Sequence, residues 1–545
     1  MAKKKNYQNL SKEELIARIQ NLEKRKRYGL AWEKKEEKVV EQCKEELPIL
    51  KEVKSKEIMT DKNKPVNLLI EGDNYHSLSV LNYTHPKSID LIYIDPPYNT
   101  GNKDFIFNDK YVDPEDAYRH SKWLSFMEKR LKLAKNLLKD TGAIFISVDD
   151  NEVAQLKLLM DNPDLFGENN FVAQFVWNKK LGRQNDARFV SNNHEYVICY
   201  CRRVDSFVLN RLPRTEAFNK EFQNLDDDPR GMWIHRPLHA KSGREKDIYE
   251  ITFPNGVKWK PPKGTYPRFT KERLLKMYKD NRLWFGKERR NVPRYKRFLS
   301  EVKQGIITNT LLLANEVGTT QRAKEDYKKI LPKINFDNPK PLGLIKYLSI
   351  MGGNKNAVIL DFMAGSGTTG QAVLALNKED GGNRQFILCT NNENNICTDV
   401  CYPRVKKVIK GYTDLNGKNI RGLGSNLKYF KTDFVDAEPT DKNKIKLTQQ
   451  ATEMLCIREG TFELTLGRKK FKIFKNSNHH TGIIFDQLAI PEFKKVIKNI
   501  KGKFSVYIFS LGDDTFDEEF TDIKQKVKLS PIPEAILRVY RRIFK

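Results

Sequence analysis

The stretch LIYIDPPYNT, Leu91 to Thr100, sets an acid, two prolines and a tyrosine directly after an apolar run broken only by Asp90. Pro96 and Pro97 restrict the backbone, so the Asp95 carboxylate, the Pro96 carbonyl and the Tyr98 ring keep fixed directions. Two acceptors and one aromatic face are thereby presented together; an Asp-Pro turn that only ends a strand is the alternative. The second stretch, Asp361 to Gly370, reads DFMAGSGTTG, a glycine-rich turn in which a ligand can approach the backbone. A P-loop would need a lysine and a hydroxyl where Gln371 and Ala372 stand, which nearly excludes it. A dinucleotide pattern matches only as Gly365, Gly367 and Gly370, a tight structural turn is also open, and the remaining reading is a nucleoside cofactor without a pyrophosphate. Glu393, past the next strand, is placed to hold ribose hydroxyls.

Both stretches need strand ends to carry them, and the flanking patterns supply these. Val66 to Ile70 reads as a strand, Tyr75 to Asn82 as a helix and Ile89 to Ile94 as a second strand, a βαβ unit. Trp123, Met127, Leu131, Ala134 and Leu138 keep helical spacing from about Ser121 to Gly142, a predicted C-cap, and Ala143 to Val148 is then a buried strand. Phe171 to Trp177 and Tyr196 to Tyr200 follow as strands. The α/β pattern returns near Pro339, with a helix over Leu342 to Ile350, a strand over Ala357 to Leu360, a helix over Thr368 to Leu376 and a strand over Gln385 to Thr390. Open α/β sheets bind ligands at the carboxyl ends of their strands, which is where both motifs fall. At the N-terminus, residues 11 to about 45 read as one charged helix, with Ser11 and Glu14 as a capping box and Leu15, Ile19 and Leu22 on one face. After Asp436 a small α/β module is expected, with strands at Phe471 to Phe474, Thr481 to Phe485 and Phe504 to Phe509 and a helix from Pro533 to Arg542; His479-His480 reads as a loop pair.

The composition limits the partners. A formal charge of +28 over 545 residues suits a polyanion such as nucleic acid, with an acidic membrane surface as the competing explanation. No apolar run approaches the roughly 18 to 20 residues of a bilayer span and no signal-peptide core is visible, so a soluble, cytoplasmic protein is expected. Seven scattered cysteines without a CxxC pair predict reduced, structural thiols and no metal site. From about Arg202 to Leu299 arginines are interleaved with Trp233, Trp259, Tyr266, Trp284, Phe285 and Tyr295, a pattern that suits phosphates and bases better than a plain solvated surface. Candidate DNA contacts are Lys179, Arg183 and Arg188 in the loop before His194, and Arg236, Arg268 and Arg290 in the basic segment.

Together, DPPY and FMAGSGTTG resemble the DNA amino-methyltransferases that use S-adenosylmethionine, over about Val66 to Lys410. The likeness extends to EGDN at Glu71 to Asn74, HEY at His194 to Tyr196 and NPKP at Asn338 to Pro341. The catalytic motif precedes the cofactor motif, the permuted order of the beta group, and the wording is most similar to the modification subunits of type III restriction-modification systems. The resemblance implies an α/β fold: a Rossmann-like methyltransferase sheet assembled from two sequence halves, with an inserted target-recognition domain and a small C-terminal α/β module. The implied boundaries are 1–60 helical, 61–202 catalytic half, 203–335 target recognition, 336–435 cofactor half and 436–545 C-terminal. It assigns catalysis to Asp95, Pro96, Pro97 and Tyr98. Cofactor contacts fall to Phe362, Ala364, Gly365 and Gly367, with Glu393 on the ribose, and to Asp73, Asp95, Lys340, Asp361, Ser366 and Thr368 in the same motifs. Asp95, where cytosine-N4 enzymes commonly carry serine, favours adenine N6 in duplex DNA; cytosine-N4 methylation and an idle DNA-binding scaffold are the alternatives. A homodimer and a separate restriction subunit are implied partners.

Overall fold

The run Ile89–Ile94 forms a strand buried at every residue, the pattern of a parallel strand covered on both faces. Its lone acid, Asp90, takes both carboxylate oxygens to Lys139 Nζ at 2.8 Å and accepts the Val358 N–H at 2.9 Å, which ties the two sequence halves together. The structure, a computed structural model, describes residues 11–13, 15, 16, 32–61, 64–102, 104–183, 189–214, 219–302 and 305–544. Two compact units emerge, one made of the chain up to Asn210 and from Asn309 onward, the other of Arg211–Thr308.

In the larger unit the strands of the main sheet are β1 Glu46–Glu52, β2 Val66–Glu71, β3 Ile89–Ile94, β4 Leu138–Val148, β5 Phe171–Asn178, β6 His194–Cys201, β7 Leu311–Leu312, β8 Val358–Asp361, β9 Gln385–Thr390 and β10 Asn426–Asp436. The helices that matter for the site are α1 Asn74–Thr84, α2 Arg119–Leu137, α3 Leu342–Gly352, α4 Thr368–Asp380 and α5 Tyr402–Lys410. The sheet order is β1-β10-β2-β9-β8-β3-β4-β6-β5-β7. From β10 to β4 all neighbours are parallel, and β6 then runs antiparallel to both β4 and β5. This is a Rossmann-like sheet assembled from two sequence halves. Its decisive joint is β8 beside β3, with Ile359 opposite Leu91 and Leu360 opposite Ile92, because it sets the ends of the two motif strands side by side.

Several expectations are corrected. Gly142 does not cap α2; the helix ends at Leu137 and Gly142 lies inside β4. A Cβ there would come within 3.0 Å of the Ile89 carbonyl oxygen and 3.1 Å of that of Asp90, so the glycine permits close strand approach at a register shift. The continuous helix over 11–45 is interrupted: residues 12, 13, 15 and 16 are helical, 32–37 is irregular, and a separate helix, Lys38–Glu45, precedes β1. Glu14, Ile19 and Leu22 lie outside the described residues. His479 and His480 open a strand, His479–Ile484, in a five-stranded C-terminal sheet. His479 Nε2 there sits 3.0 Å from Ser505 Oγ and 3.2 Å from Glu459 Oε2. That module does not stand apart: Ile483, Ile532 and Ile536 join the core of the main sheet, and the Tyr540 hydroxyl donates to the Pro48 carbonyl.

The smaller unit is built on a three-stranded sheet of Leu283–Trp284, Arg294–Phe298 and Trp233–Pro237. Trp233, Trp259 and Phe285 are buried, so half of the aromatic residues expected to meet bases instead form this unit's core. A segment with few aliphatic residues draws its buried area from rings. Lys296 is likewise internal, paired with Asp226 and, at 2.9 Å, with the buried Asp228. Arg236, Arg268 and Arg290 are exposed. All seven cysteines are buried and free, and among the described residues no helix is long and apolar enough to cross a membrane.

Candidate active site and cofactor cleft

Asp95 follows β3, and both of its recorded contacts fall on one oxygen. Lys340 Nζ lies 2.9 Å from Asp95 Oδ1, and the Tyr98 hydroxyl donates to the same atom at 2.9 Å. A second carboxylate mirrors the first: Glu195 Oε2 is 3.1 Å from the Tyr98 hydroxyl and 3.4 Å from Lys340 Nζ, while Glu195 Oε1 accepts from Lys179 Nζ at 3.1 Å. Lys340 Nζ also stands 5.0 Å from the centre of the Tyr98 ring. Burial pushes the Asp95 carboxyl above its ordinary range, Lys340 opposes that and Glu195 adds to it. For Glu195, burial is outweighed by Lys340 and Lys179 and its pKa is lowered. Burial is outweighed at Lys340 too, whose pKa is raised by Asp95 and Glu195. The Pro96-Pro97 turn is held from above by Trp123, whose indole N–H donates to the Pro97 carbonyl at 2.7 Å.

Next to this cluster lies a cleft of about 380 Å³ whose walls include Asp73, Pro97, Phe362, Met363, Gly365 and Glu393. Asp73 caps α1, accepting the Tyr75 N–H at 2.7 Å. Burial, reinforced by Asp73 and Asp109 and opposed by Asn391, raises the Glu393 pKa. Gly365 and Gly367 adopt φ of +49° and +77°, a region that favours glycine. A Cβ on Gly367 would meet Cys401 Sγ at 3.1 Å and Val405 Cγ2 at 3.2 Å, so α5 packs directly on the turn. The remaining motif residues build the turn and do not line the cleft. Asp361 accepts the Met363 N–H at 3.1 Å and the Thr369 hydroxyl at 2.5 Å, and burial pushes it up to about 7. The Ala364 N–H donates to the Cys389 carbonyl at 3.1 Å. Ser366 and Thr368 turn their hydroxyls to Arg404 Nη1, at 2.7 and 2.8 Å.

Two expected residues are thereby relocated. Lys340 faces Asp95 and is not part of the cofactor wall, and Lys179 serves Glu195 in place of an open DNA surface. Arg183 is exposed as expected, whereas Arg188 lies outside the described residues. Sequence reasoning left Glu195 without a role although it sits in the HEY stretch; an acid at the head of an otherwise apolar strand was the available signal. It also missed Arg130, which is buried on α2 and pairs through two nitrogens with Glu37 at 3.0 and 2.6 Å.

The family model for DNA methylases of the N6/N4 type matches residues 89–400, more than half of the chain. The chain belongs to this family. Among its relatives, the type III restriction-modification enzyme StyLTI Mod subunit of Salmonella typhimurium is 36% identical over 357 residues, 59% of this chain and 52% of that protein. The type III EcoPI Mod subunit of Escherichia phage P1 is 31% identical over 387 residues, 60% of this chain and 58% of that protein. The type II methyltransferase M.KpnI of Klebsiella pneumoniae is 33% identical over 377 residues, 66% of this chain and 88% of that protein. The chain thus spans only about half the length of the two type III relatives.

Beside the Asp95–Tyr98 turn, Asn99 donates to Glu152 Oε1 at 2.6 Å, and His120 Nδ1 lies 2.7 Å from the same oxygen. Glu152 is fully buried, and that burial pushes it up to about 8 against the Asn99 hydrogen bond and Arg119. A folded-state pKa above the unfolded one favours the neutral acid, so this stabilisation is complete at low pH and is lost as pH rises through about 8. Glu152→Gln keeps the acceptor and removes the titration. Melting temperatures of the two proteins are expected to agree near about pH 5 and to separate toward about pH 8, the wild type falling below the variant; parallel curves would contradict the assignment.

Proposed function

We propose that this DNA methylase transfers a methyl group from S-adenosylmethionine to the N6 amino group of an adenine swung out of duplex DNA, as the modification component of a restriction-modification system. One observation carries the reading: Asp95 and Pro96 lie at the end of β3, beside the β8 end that opens the glycine turn, and Pro97 walls the cleft that the turn also lines. The residues of the cleft fit the cofactor. Asp73 and Glu393 offer acceptors to ribose hydroxyls and an ammonium, Phe362 and Met363 offer apolar contact, and Gly365 leaves the backbone open. When bound there, the cofactor supplies a methyl group on a positively charged sulfur, already activated for displacement.

The protein's task is to prepare the nucleophile. The lone pair of an exocyclic amino group is delocalised into its ring. Accepting its two N–H groups at the Asp95 carboxylate and the Pro96 carbonyl favours a pyramidal nitrogen with the pair directed outward. Tyr98 supplies a ring face for the base, whose extrusion costs a few kcal/mol that the pocket must offset. The exposed Arg236, Arg268 and Arg290 of the smaller unit, together with Arg183, are the phosphate contacts in this reading, and the net charge of +28 supports a polyanionic partner. That two relatives are named as Mod subunits supports a separate restriction subunit, and a DNA substrate supports a cytoplasmic location.

The test is incubation of the purified protein with labelled S-adenosylmethionine and mixed-sequence duplex DNA, followed by digestion to nucleosides. Label in N6-methyladenosine is the expected result. Label in N4-methylcytosine would replace adenine by cytosine as the target, and absence of transfer despite cofactor and DNA binding would favour the idle scaffold.

A further inference from the structure

Asp95 and Glu195 present matching faces to the same two donors. The Lys340 ammonium and the Tyr98 hydroxyl lie between Asp95 Oδ1 and Glu195 Oε2, with all four separations between 2.9 and 3.4 Å. The four side chains come from three separate parts of the chain: Asp95 and Tyr98 after β3, Glu195 on β6, and Lys340 before α3. Lys179, after β5, closes the far side of Glu195. Lys340, Glu195 and Lys179 are largely buried, with side-chain exposures of 9, 11 and 17%. Two carboxylates and two ammoniums therefore balance in a place where an unbalanced charge is costly.

We infer that Glu195 is a positioning residue for methyl transfer, holding the Tyr98 hydroxyl and the Lys340 ammonium against one oxygen of Asp95 so that the other is left to accept from the substrate amino group. This rests on the reading of Asp95 as that acceptor. Without Glu195, two ammoniums face one carboxylate, and Lys340 is free to move onto both Asp95 oxygens. Tyr98 then has one acceptor in place of two. Without Lys340, two carboxylates share a single hydroxyl proton, and one of them must take up a proton of its own. The other groups acting on this set are Tyr93 and Asp361, on the strands flanking Asp95, and Asp149, near Glu195. They are the same in every variant below.

The expected result is a pair of opposite shifts in the titration of Asp95. The full-length protein is titrated by infrared difference spectroscopy, with the Asp95 carboxyl band identified by its loss in Asp95→Asn. Glu195→Gln should lower the midpoint by about one pH unit or more, and Lys340→Met should raise it by a similar amount. The acid limb of the rate of methyl transfer should move with the midpoint, with kcat falling, KM for DNA nearly unchanged and Glu195→Asp recovering part of the rate. Midpoints unmoved in both variants would overturn the inference, as would a loss of rate in Glu195→Gln with an unshifted acid limb. Shifted midpoints in a protein that transfers no methyl group to any DNA would uphold the coupling of Glu195 to Asp95 while overturning the proposed function.

Discussion

Asp95→Ala should reduce the rate of methyl transfer by at least about 10²- to 10³-fold, the loss seen when one preorganised hydrogen-bonding group is removed from a transition state. Cofactor and DNA affinities should change little. The cleft is walled by Asp73, Pro97, Phe362 and Glu393, whereas the Asp95 side chain is bonded to Tyr98 and Lys340. The fold should also hold, because Glu195 remains to accept from Tyr98 and to pair with Lys340. Single-turnover transfer to duplex DNA, measured beside cofactor binding by calorimetry, separates the two quantities. A rate within a few-fold of wild type would mean that the amino group finds its acceptor elsewhere.

Arg130→Met is expected to be the most destabilising single change near the cleft. Arg130 is 1% exposed, donates to both oxygens of the buried Glu37 and donates through Nε to Asn74 Oδ1 at 2.5 Å. It also lies 3.5 Å from Asp73 and stacks 3.7 Å from the centre of Phe126. Removing one partner of a buried pair leaves the other uncompensated, at a cost of about 3–5 kcal/mol. Because Glu37, Asp73 and Asn74 all line the cleft, cofactor affinity should fall together with stability. The double variant Glu37→Gln/Arg130→Met should recover part of the lost stability, since no charge is then stranded. Denaturant unfolding of the four proteins tests this, and strictly additive losses would show that the pair is not coupled.

The sequence by itself determined the two motif turns and the strands beneath them. Ile89 to Ile94, Ala357 to Leu360 and Gln385 to Thr390 are largely apolar runs bounded by turn residues, and such runs are legible because burial on both faces removes any need for alternation. The glycines of the second turn were equally plain, and the turn needs them, since φ of +49° and +77° disfavours side chains and favours glycine. The outer strands β1 and β10 were not legible. Asn426–Asp436 mixes buried Tyr429 and Phe430 with Lys428 and Lys431, and it is a strand because β1 and β2 stand ready to pair with it.

Tertiary structure alone decided which charges meet. Lys340 is far in the sequence from Lys179 and Glu195, which face each other across the β5–β6 pair, and nothing local distinguishes Lys179 from the other basic residues of its loop. Their partnership exists because β6 runs antiparallel beside β4 and because the chain re-enters the sheet at β8, next to β3. The same holds for Trp233, Trp259 and Phe285, whose ring types suggest base stacking but whose burial makes them a core. Local pattern reports what a residue can do, and long-range packing selects the partner with which it does it.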